Sequence, residues 1–348
     1  MTDILGIGNA LLDIFCFSEE ETALSLGIHP NSTNHVSPDR LDELLLGIRT
    51  PVLVSGGSAS NALKAASSLG LQCSFVGCTG TIEGESDRWA LVLCADLASY
   101  GVHLAIEDRS HTTGRCLIIH MPGALKSIVC APGAAPSIRP EQITQEAVNN
   151  ARIVMLDGQL LRYNELSNHI CTLASQAKVP LALDIASVDI AKNHSILLPG
   201  LLTRGKTILF CNADEAEELA LVLADTVPGD RGFQTREELV HSVFSFYTAR
   251  KRSFPCIVRK EGPLGATAWC SGSVIHREGQ AIDLPLDDTG AGDVFAGAFL
   301  CAWLAHAPLE QALDFANKAG RSCLTVPGTR LDWDFFTTLK EELPVYQG

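Results

Sequence analysis

The stretch DDTGAGDVFAGAF, residues 287–299, places three small residues directly before an acid and an apolar run. In Gly290, Ala291 and Gly292 the small side chains free the backbone N–H groups to converge on an anion. Because a helix start carries partial positive charge, this loop would stabilise negative charge on a transferring phosphoryl group. Asp293 follows at once, and a carboxylate there can deprotonate an attacking hydroxyl. The alternative is that Asp293 only complements the helix dipole.

Polar residues near the start of the chain have the chemistry to bind hydroxyl groups of an acceptor. In the segment SGGSASN, Gly56 and Gly57 let the backbone approach a ligand, and Asn61 offers both a donor and an acceptor. Asn9 and Asp13 follow the predicted strand DILGIG, and ligands of open α/β sheets bind at strand ends. A strand-to-helix turn or a loop and capping residue gives the same patterns, so each alone leaves both interpretations open.

The segment ILFCNADEAEEL places Asn212 and Glu215 just after a predicted strand, on one side of the helix that follows. A carboxylate there could lie near phosphates and act on Mg²⁺ through water. The same spacing is that of a capping box, in which Asn caps the helix and Glu reaches back to its start. The segment therefore predicts either a magnesium and phosphate site or a local helix cap.

Several common sites are disfavoured because their residues are missing. Gly6 and Gly8 begin a GxGxxG pattern, but Leu11 stands where the third glycine would be, which argues against a Rossmann dinucleotide site. No GxxxxGK[ST] segment occurs, so a Walker-type phosphate loop is excluded. The 12 cysteines contain no CxxC pair and the 10 histidines no HxxxH or HExxH group. We expect buried reduced thiols rather than a zinc site or a disulfide scaffold.

The composition is that of an ordinary folded protein, with 348 residues, 46% apolar content and a formal net charge of −14. The negative charge opposes binding to nucleic acid or anionic membranes, so we expect neither as a partner. No window approaches about 18 uninterrupted apolar residues, and the start Met1-Thr2-Asp3 lacks the basic residues of a signal peptide. These features predict a cytoplasmic protein, and a small anion in a local pocket remains compatible with its charge.

Short β-rich segments alternate with helical patterns through most of the chain. The segments IVMLD, LALDI and ILFCN are apolar on both faces, as expected for parallel strands covered by helices on both sides. Apolar spacing predicts helices over Ser60–Leu69 and Val294–His306, with Asp293 at the start of the second. The pattern therefore predicts an α/β fold with a mostly parallel central sheet.

Two segments break this alternation, Ile14–Arg49 and His111–Cys130, because they are typical of isolated strands, hairpins and short helices. We expect residues 14–49 and 111–130 to form a small β-rich lid. The remaining residues, 1–13, 50–110 and 131–348, would form the core that carries the motifs described above.

Taken in order, SGGSASN, NADE and DDTGAGD resemble the ribokinase-like, or PfkB, family of sugar and nucleoside kinases. The resemblance extends from Ile4 to about Arg330, which is essentially the whole chain. It implies a ribokinase-like three-layer α/β/α core, a small β-rich lid, and transfer of a phosphoryl group from ATP to an alcohol. ATP and Mg²⁺ are the implied cofactors, and both the ATP and the acceptor site would lie in the core.

The family's site residues carry over by position to this chain. The resemblance implies that Asp293 is the catalytic base. It also implies that the GxxG motif of KEGPLGA lies beside the nucleotide and that the asparagine of FANKAG lies near the adenine of ATP. The implied anion hole is Gly290, Ala291 and Gly292, the acceptor site is Asp13, Gly56, Gly57 and Asn61 with Asn9 beside them, and the nucleotide and Mg²⁺ site is Asn212, Glu215 (through water), Gly262, Gly265 and Asn317.

Asp288 stands where the family usually has Thr, and this added carboxylate leaves open whether a monovalent cation such as K⁺ is required. The segments GNALLDI and TTGRC are most similar to the adenosine kinase branch, whereas FANKAG resembles sugar kinases. The first hypothesis is phosphorylation of the 5′-hydroxyl of adenosine, and the second is a ribokinase- or fructokinase-type sugar kinase. A non-catalytic nucleoside or sugar sensor is the alternative of another class. The sequence does not choose between a monomer and a homodimer.

Overall fold

The computed structural model describes residues 1–123, 125–204, 206–227, 233–249, 255–283 and 285–343. In chain order its strands are β1 (Thr2–Ile7), β2 (Leu11–Phe17), β3 (Thr33–His35), β4 (Val52–Gly56), β5 (Cys73–Ile82), β6 (Glu85–Ser86), β7 (His103–Arg109), β8 (Gly114–Met121), β9 (Leu125–Ala131), β10 (Ala151–Asp157), β11 (Leu181–Asp184), β12 (Thr207–Asn212), β13 (Cys256–Lys260), β14 (Ala266–Cys270) and β15 (Ser273–Arg277). Its helices are α1 (Glu20–Ser25), α2 (Pro38–Leu45), α3 (Ser58–Ser68), α4 (Arg88–Ser99), α5 (Gln145–Asn149), α6 (Asn164–Ala177), α7 (Val188–Asn193), α8 (Leu198–Arg204), α9 (Ala213–Ala224), α10 (Arg236–Thr248), α11 (Ala291–Leu304), α12 (Leu309–Ser322) and α13 (Trp333–Lys340).

Within these residues, ten strands form the central sheet, in the order β15-β14-β13-β12-β11-β10-β1-β5-β6, with β7 also paired to β5. The pairs that run from β13 through β12, β11, β10 and β1 to β5, and the pair of β5 with β7, are parallel. Antiparallel pairs join β14, β15 and β6 at the margins. The predicted mostly parallel sheet is therefore confirmed.

The parallel strands are buried on both faces because helices cover both sides of the sheet. In β10, Ile153 and Met155 pack on one side and Val154 and Leu156 on the other, since successive side chains of a strand alternate. The first side packs on α3, α4, α11, α12 and α13, and the second on α5 to α10. This arrangement confirms the predicted three-layer α/β/α core.

The other five strands of the described ranges form a separate sheet, in the order β3-β9-β8-β2-β4. One face packs on α1 and α2 through residues such as Ile14, Leu41 and Leu117, and the other face carries Phe15 and Ile118. This sheet is the small β-rich lid of the expected fold. It also takes in β4 and the start of β2, which lie outside the lid segments 14–49 and 111–130. Those boundaries stay a prediction, and residues 344–348 of the predicted core lie outside the described residues.

Both helices that were predicted from apolar spacing begin earlier than expected. The first begins at Ser58, directly after Gly57, and the second at Ala291, directly after Gly290. Each glycine has a positive φ, 95° at Gly57 and 79° at Gly290, which turns the chain from loop to helix. Asp293 therefore lies inside the first turn of α11. No helix within the described ranges is long and apolar enough to cross a membrane.

Candidate active site

Polar side chains line the edge of the central sheet at which its parallel strands end. Asn9 follows β1, while Asp157, Asp184, Asn212 and Lys260 are the last residues of β10, β11, β12 and β13. The strand register places Asp157 beside Asp184, and Asn212 beside Lys260. Because ligands of open α/β sheets bind outside this edge, the candidate site lies here.

Asp293 is held in a fixed orientation by two residues of α3. Its Oδ1 accepts a hydrogen bond from the Ser58 hydroxyl at 2.7 Å, and its Oδ2 accepts one from the Asn61 amide at 2.9 Å. Burial raises the pKa of Asp293 to about 6, and Asp184 adds to the shift, whereas Lys260 and the two hydrogen bonds oppose it. A carboxylate with a pKa in this range is ionised at neutral pH and basic enough to accept a proton from an activated hydroxyl.

The loop before α11 leaves two backbone N–H groups for an anion. The Ala291 amide donates to the Asp288 carbonyl oxygen at 3.2 Å, and the Asp293 amide donates to the Gly290 carbonyl oxygen at 3.0 Å. Among the described residues, the amides of Gly290 and Gly292 have no such acceptor. These two N–H groups lie at the positive end of a buried helix, which is a favourable place for a phosphate oxygen.

A lysine and two further carboxylates adjoin this loop. The Lys260 ammonium lies 2.5 Å from Oδ2 of Asp184, and 3.2 Å from the position that a Cβ atom on Gly292 would take. Burial, and then Asp184, raises the pKa of Glu215 to about 7, against the effect of Lys260. Burial disfavours the charged form of Lys260, but Asp184, Glu215 and Asp293 together hold its pKa above the ordinary value.

Asn212 and Glu215 form a capping box, one of the two alternatives that the sequence left open. Oδ1 of Asn212 accepts the Glu215 amide at 2.8 Å, and Oε2 of Glu215 accepts the Asn212 amide at 2.8 Å. In the part of the chain that the structure describes, no group of three His, Cys, Asp or Glu side chains could hold a metal ion. A Mg²⁺ ion here would take most of its ligands from phosphates and water, which fits Glu215 acting through water.

The residues predicted to bind the acceptor meet where β2 and β4 of the lid adjoin α3. A Cβ atom on Gly56 would lie 2.2 Å from Oδ2 of Asp13, so only glycine fits beside this carboxyl group. A Cβ atom on Gly57 would lie 2.3 Å from the Asn9 carbonyl oxygen. Oδ1 of Asn9 is buried and has no hydrogen-bond partner among the described residues. Asn61 links the group to Asp293. The structure thus brings all five predicted acceptor residues together and leaves a polar atom for a ligand.

Asp13 shares this region with a buried lysine. Burial raises the pKa of Asp13 to about 7, Lys64 opposes the shift, and Asp293 and Asp287 add to it. The Lys64 side chain is fully buried, and its ammonium donates to the Ser55 carbonyl oxygen at 2.9 Å. A buried carboxyl group and a buried lysine therefore lie together in this part of the site.

Gly262, Gly265 and Asn317 lie at the margin of the central sheet. Nδ2 of Asn317 donates to the carbonyl oxygens of Arg277 and the residue after it, at 3.3 and 3.4 Å. A Cβ atom on Gly265 would lie 2.0 Å from the same Arg277 oxygen, whereas one on Gly262 would meet open space. Gly265 and Asn317 thus flank one segment after β15. Within the described residues, no hydrogen bond joins this group to Asp293.

The lid contacts the loop before α11 through Lys126 of β9. The Lys126 ammonium forms an ion pair with Asp288 and lies 3.2 Å from Oγ1 of Thr289. Oδ1 of Asp287 accepts both the amide and the hydroxyl of Thr289, at 3.0 and 2.7 Å. Nε2 of His120, on β8, lies 3.6 Å from Asp287. Asp288 therefore gives the lid a charged contact with the loop before α11.

Four residues of the site were not predicted from the sequence: Lys64, Asp157, Asp184 and Lys260. The sequence contains a signal for Asp157, Asp184 and Lys260. Each is a charged residue at or near the end of an apolar segment, in IVMLD, LALDI and CIVRK. Such residues lie at the carboxyl ends of parallel strands, where ligands bind. The lysine in NALKAASS gave no signal, since lysine side chains on helices are usually exposed.

A mostly parallel sheet between two helix layers, a β-rich lid, and a carboxylate beside free amides at a helix start together suit a phosphotransferase that acts on a hydroxyl group. The sequence agrees with this class, since residues 21–335 match the model of the pfkB family of carbohydrate kinases. The chain therefore belongs to the pfkB family.

Relatives of known activity lie on both the sugar and the nucleoside side of this family. The chain is 28% identical to an ATP-dependent ribose-1-phosphate kinase of Halopiger xanaduensis, over 85% of this chain and 90% of that one. It is 22% identical to an adenosine kinase of Schizosaccharomyces pombe, over 94% and 96%. The solved structure of adenosine kinase from Sinorhizobium meliloti matches with a TM-score of 0.81 at 20% identity, over 98% of this chain and 99% of that chain. The structural likeness shows the fold alone.

Family membership gives the class of reaction. The chain is a carbohydrate or nucleoside kinase of the PfkB type, a phosphotransferase with a hydroxyl acceptor. Its family implies the use of ATP, typically with a divalent metal ion, and a small sugar or nucleoside as acceptor. The predicted family, fold class and enzyme class are confirmed, whereas the roles of the single site residues stay predictions.

Proposed function

We propose that the chain transfers the γ-phosphoryl group of ATP to a hydroxyl group of a nucleoside, most readily the 5′-hydroxyl of adenosine. The observation that carries this proposal is the placement of Asp293. Its two carboxylate oxygens are held by Ser58 at 2.7 Å and Asn61 at 2.9 Å, and the residue before it is Gly292, whose amide is free. A base and an anion cradle thus share one helical turn, as phosphoryl transfer to an alcohol requires.

In the proposed reaction the acceptor hydroxyl gives its proton to Asp293 while its oxygen attacks the γ-phosphorus of ATP. The bond between the γ-phosphorus and its bridging oxygen breaks, and ADP leaves with that electron pair. The free amides of Gly290 and Gly292 stabilise the charge on the transferring group. The hydrogen bonds from Ser58 and Asn61 hold the carboxylate so that the proton transfer needs little reorganisation.

The carboxylates near the loop suit Mg²⁺, a hard cation that binds oxygen ligands. When bound, Mg²⁺ would neutralise part of the phosphate charge and so assist the departure of ADP. Glu215 would hold it through water, since Oε2 of Glu215 already accepts the Asn212 amide. Asp184, beside Lys260, presents a second buried carboxylate to the same region.

The lid supports a nucleoside as the acceptor. Asp13 and Asn9 present oxygen atoms that suit the hydroxyls of a ribose. Phe17 lies on the same face of β2 as Asp13 and is 65% exposed, whereas Phe15 between them is buried. Phe17 also lines a cavity of about 590 Å³ between the lid and residues 285–286. An aromatic edge beside a polyol site suits a nucleobase attached to its sugar.

A ribose-type sugar is the second candidate acceptor. The observation in its favour is the relative with 28% identity, which is a ribose-1-phosphate kinase. A free pentose would use the same hydroxyl contacts at Asp13 and Asn9 but would leave the aromatic edge of the lid uncovered. The two candidates therefore differ in whether an acceptor that lacks the nucleobase is still phosphorylated.

An acceptor panel tests the proposal. The protein is incubated with labelled ATP and Mg²⁺ and with adenosine, other nucleosides, ribose, ribose 1-phosphate or fructose, and the Asp293→Asn variant serves as the blank. We expect transfer of label to adenosine at a higher kcat/KM than to any free sugar. Turnover of sugars without turnover of any nucleoside would overturn the nucleoside assignment and favour the second candidate.

We also infer a cytoplasmic location, where ATP is supplied, and either a monomer or a homodimer. The lid sheet ends in β4, an edge strand that could pair with a second copy of the chain. Light scattering on the purified protein distinguishes the two oligomeric states.

A further inference from the structure

We propose that Lys260 is a further catalytic residue, whose ammonium group contacts the phosphoryl group during transfer. The inference deepens the proposed function and rests on it, because it assigns a second donor to the same phosphate site. Lys260 was not among the residues that the sequence predicted.

The position of Lys260 places its ammonium at the anion loop. Lys260 is the last residue of β13, paired with Asn212 of β12, so it lies on the edge at which the strands end. Its Nζ is 3.2 Å from the position of a Cβ atom on Gly292. The Gly292 amide is one of the two free N–H groups of the loop. The Lys260 ammonium therefore adjoins the residue whose free amide would bind a phosphoryl oxygen.

Asp184 holds the ammonium in place without using all of its hydrogens. Nζ of Lys260 lies 2.5 Å from Oδ2 of Asp184. The Asp184 side chain is 2% exposed, and that of Lys260 is 14% exposed. An ammonium group has three N–H donors, so one can bind Asp184 while another binds a phosphoryl oxygen.

The site is rich in negative charge, which favours a lysine at this position. Asp184, Glu215 and Asp293 are carboxylates that influence its ionisation, and ATP would add further negative charge. In such an environment a fixed cation stabilises the charge that builds up on the transferring group and the bridging oxygen. A lysine acts here as a compact point charge, as it does at other phosphate sites.

The alternative is an ion pair that only supports the fold. A structural pair would affect stability and would alter the binding of ATP and ADP equally. A donor to the γ-phosphoryl group must instead act on ATP and on turnover, and must leave ADP binding nearly unchanged. The preference for ATP over ADP therefore separates the two interpretations.

The test compares Lys260→Met and Lys260→Arg with the natural protein in the presence of Mg²⁺. Calorimetry gives the dissociation constants of ADP and of a non-hydrolysable ATP analogue, and single-turnover assays give the transfer rate. We expect Lys260→Met to bind ADP within about twofold of the natural protein. The ATP analogue should bind about tenfold more weakly, and transfer should slow by about 10²- to 10³-fold, as when one donor to a transition-state charge is removed. Lys260→Arg should recover part of the loss because it keeps the positive charge.

Arg152→Met is the matched control, because it breaks the ion pair of Arg152 with Asp3 (3.0 Å). Both residues lie near the amino ends of their strands, at the end of the sheet away from the site. Arg152→Met should change neither the ADP nor the ATP analogue affinity. Should Lys260→Met fail to fold with Asp184 left unpaired, the double variant Lys260→Met/Asp184→Asn removes both charges, and Asp184→Asn alone serves as its reference because Asp184 also lies in the proposed Mg²⁺ region.

An unchanged ratio of ATP to ADP affinity, with transfer within about threefold of the natural rate, would overturn the role of Lys260. The nucleotide comparison does not depend on the acceptor. If the natural protein phosphorylated no acceptor, the proposed function would fail while the ATP to ADP ratio still decided whether Lys260 contacts the γ-phosphate.

Discussion

At the scale of single residues, Asp293 combines raised basicity with a fixed orientation. Burial and Asp184 raise its pKa to about 6, while Ser58 and Asn61 each donate to one of its oxygens. The same two donors would favour the charged form, so the carboxylate is ionised at neutral pH. The residue thus meets both requirements of a general base, the correct protonation state and a defined direction for the proton.

The pH dependence of the reaction should reflect this pKa. Below about pH 6 Asp293 takes up a proton and cannot accept one from the acceptor, so kcat/KM should fall with decreasing pH through an apparent pKa near 6. Initial rates between about pH 5 and 8 measure this limb. The same fall in kcat/KM at low pH should be seen in Glu215→Gln, which removes another acid of raised pKa. A rate that is flat down to pH 5 would exclude Asp293 as the base.

Glu215 has a structural and a chemical role that one substitution can separate. Glu215→Gln keeps a side-chain oxygen that accepts the Asn212 amide, so the capping box and the free energy of unfolding should change by less than about 1 kcal/mol. The loss of the negative charge should raise the Mg²⁺ concentration needed for half-maximal rate by about tenfold, since groups that hydrogen-bond the ligands of a metal have effects of this size. Titration of the rate with Mg²⁺ measures it. An unaltered Mg²⁺ requirement would leave only the capping role.

The sequence predicted the residues whose type and local spacing are unusual, and it missed those defined by pairing. Asp293 and its glycines are recognisable within one short segment. Asp184 and Lys260 meet only because β11, β12 and β13 are neighbours in the sheet, 76 residues apart in sequence. Lys64 is buried against Ser55 for the same kind of reason. Side chains brought together by tertiary packing leave no local signal.

At the scale of elements, the lid sheet and the start of α11 are tied by Lys126 and Asp288. Both side chains are partly exposed, 28% for Lys126 and 73% for Asp288, so the ion pair adds little stability. Its position between the lid and the anion loop is more informative than its strength. Closure of the lid over an acceptor would keep water from the transferring group.

Removal of this contact should affect acceptor binding more than chemistry. Lys126→Ala should raise the KM of the acceptor by about fivefold, the equivalent of about 1 kcal/mol for an exposed ion pair, with kcat changed by less than about twofold. Steady-state kinetics at saturating ATP measure both constants. Lys192→Ala, at an exposed lysine of α7, is the control and should change neither. A fall in kcat at constant KM would contradict a role in lid closure.

The boundaries of elements were predicted less well than their types. The sequence predicted helices over Ser60–Leu69 and Val294–His306, whereas α3 begins at Ser58 and α11 at Ala291. Gly57 and Gly290 turn the chain at these points by positive φ values, and apolar spacing carries no information on that turn. Similarly, VLVSG has the pattern of a core strand but pairs with β2 in the lid. Which sheet a strand joins depends on distant partners.

At the scale of the whole molecule, the site is built at a cost to the stability of the fold. Asp13 is 9% exposed, and its pKa rises from 3.8 to about 7, first through burial. A group whose pKa is raised in the folded state stabilises the fold below its unfolded pKa and loses that contribution as pH rises through the folded value. For Asp13 this window runs from about pH 4 to about pH 7. Ionised Asp13 therefore weakens the fold at alkaline pH.

Asp13→Asn removes this titration and should stabilise the protein selectively at high pH. The free energy of unfolding of the variant, relative to the natural protein, should increase between pH 4 and pH 8. The upper limit is about 4 kcal/mol, the value of a shift of about three pKa units, and Lys64 reduces it. Urea unfolding at the two pH values measures the difference. If the free energies of unfolding of the variant and the natural protein differed by the same amount at pH 4 and at pH 8, Asp13 would not be a buried acid of raised pKa. Acceptor binding should weaken in the same variant.

The central claim is that Asp293 deprotonates the acceptor hydroxyl beside the amides of the anion loop. Its most direct test is a parallel measurement of acceptor binding by calorimetry and of acceptor-dependent ADP formation in the natural protein and in Asp293→Asn. We expect Asp293→Asn to bind the acceptor within about threefold of the natural protein and to form ADP more slowly by roughly three orders of magnitude or more. Near-normal ADP formation by Asp293→Asn, with the acceptor phosphorylated, would contradict it.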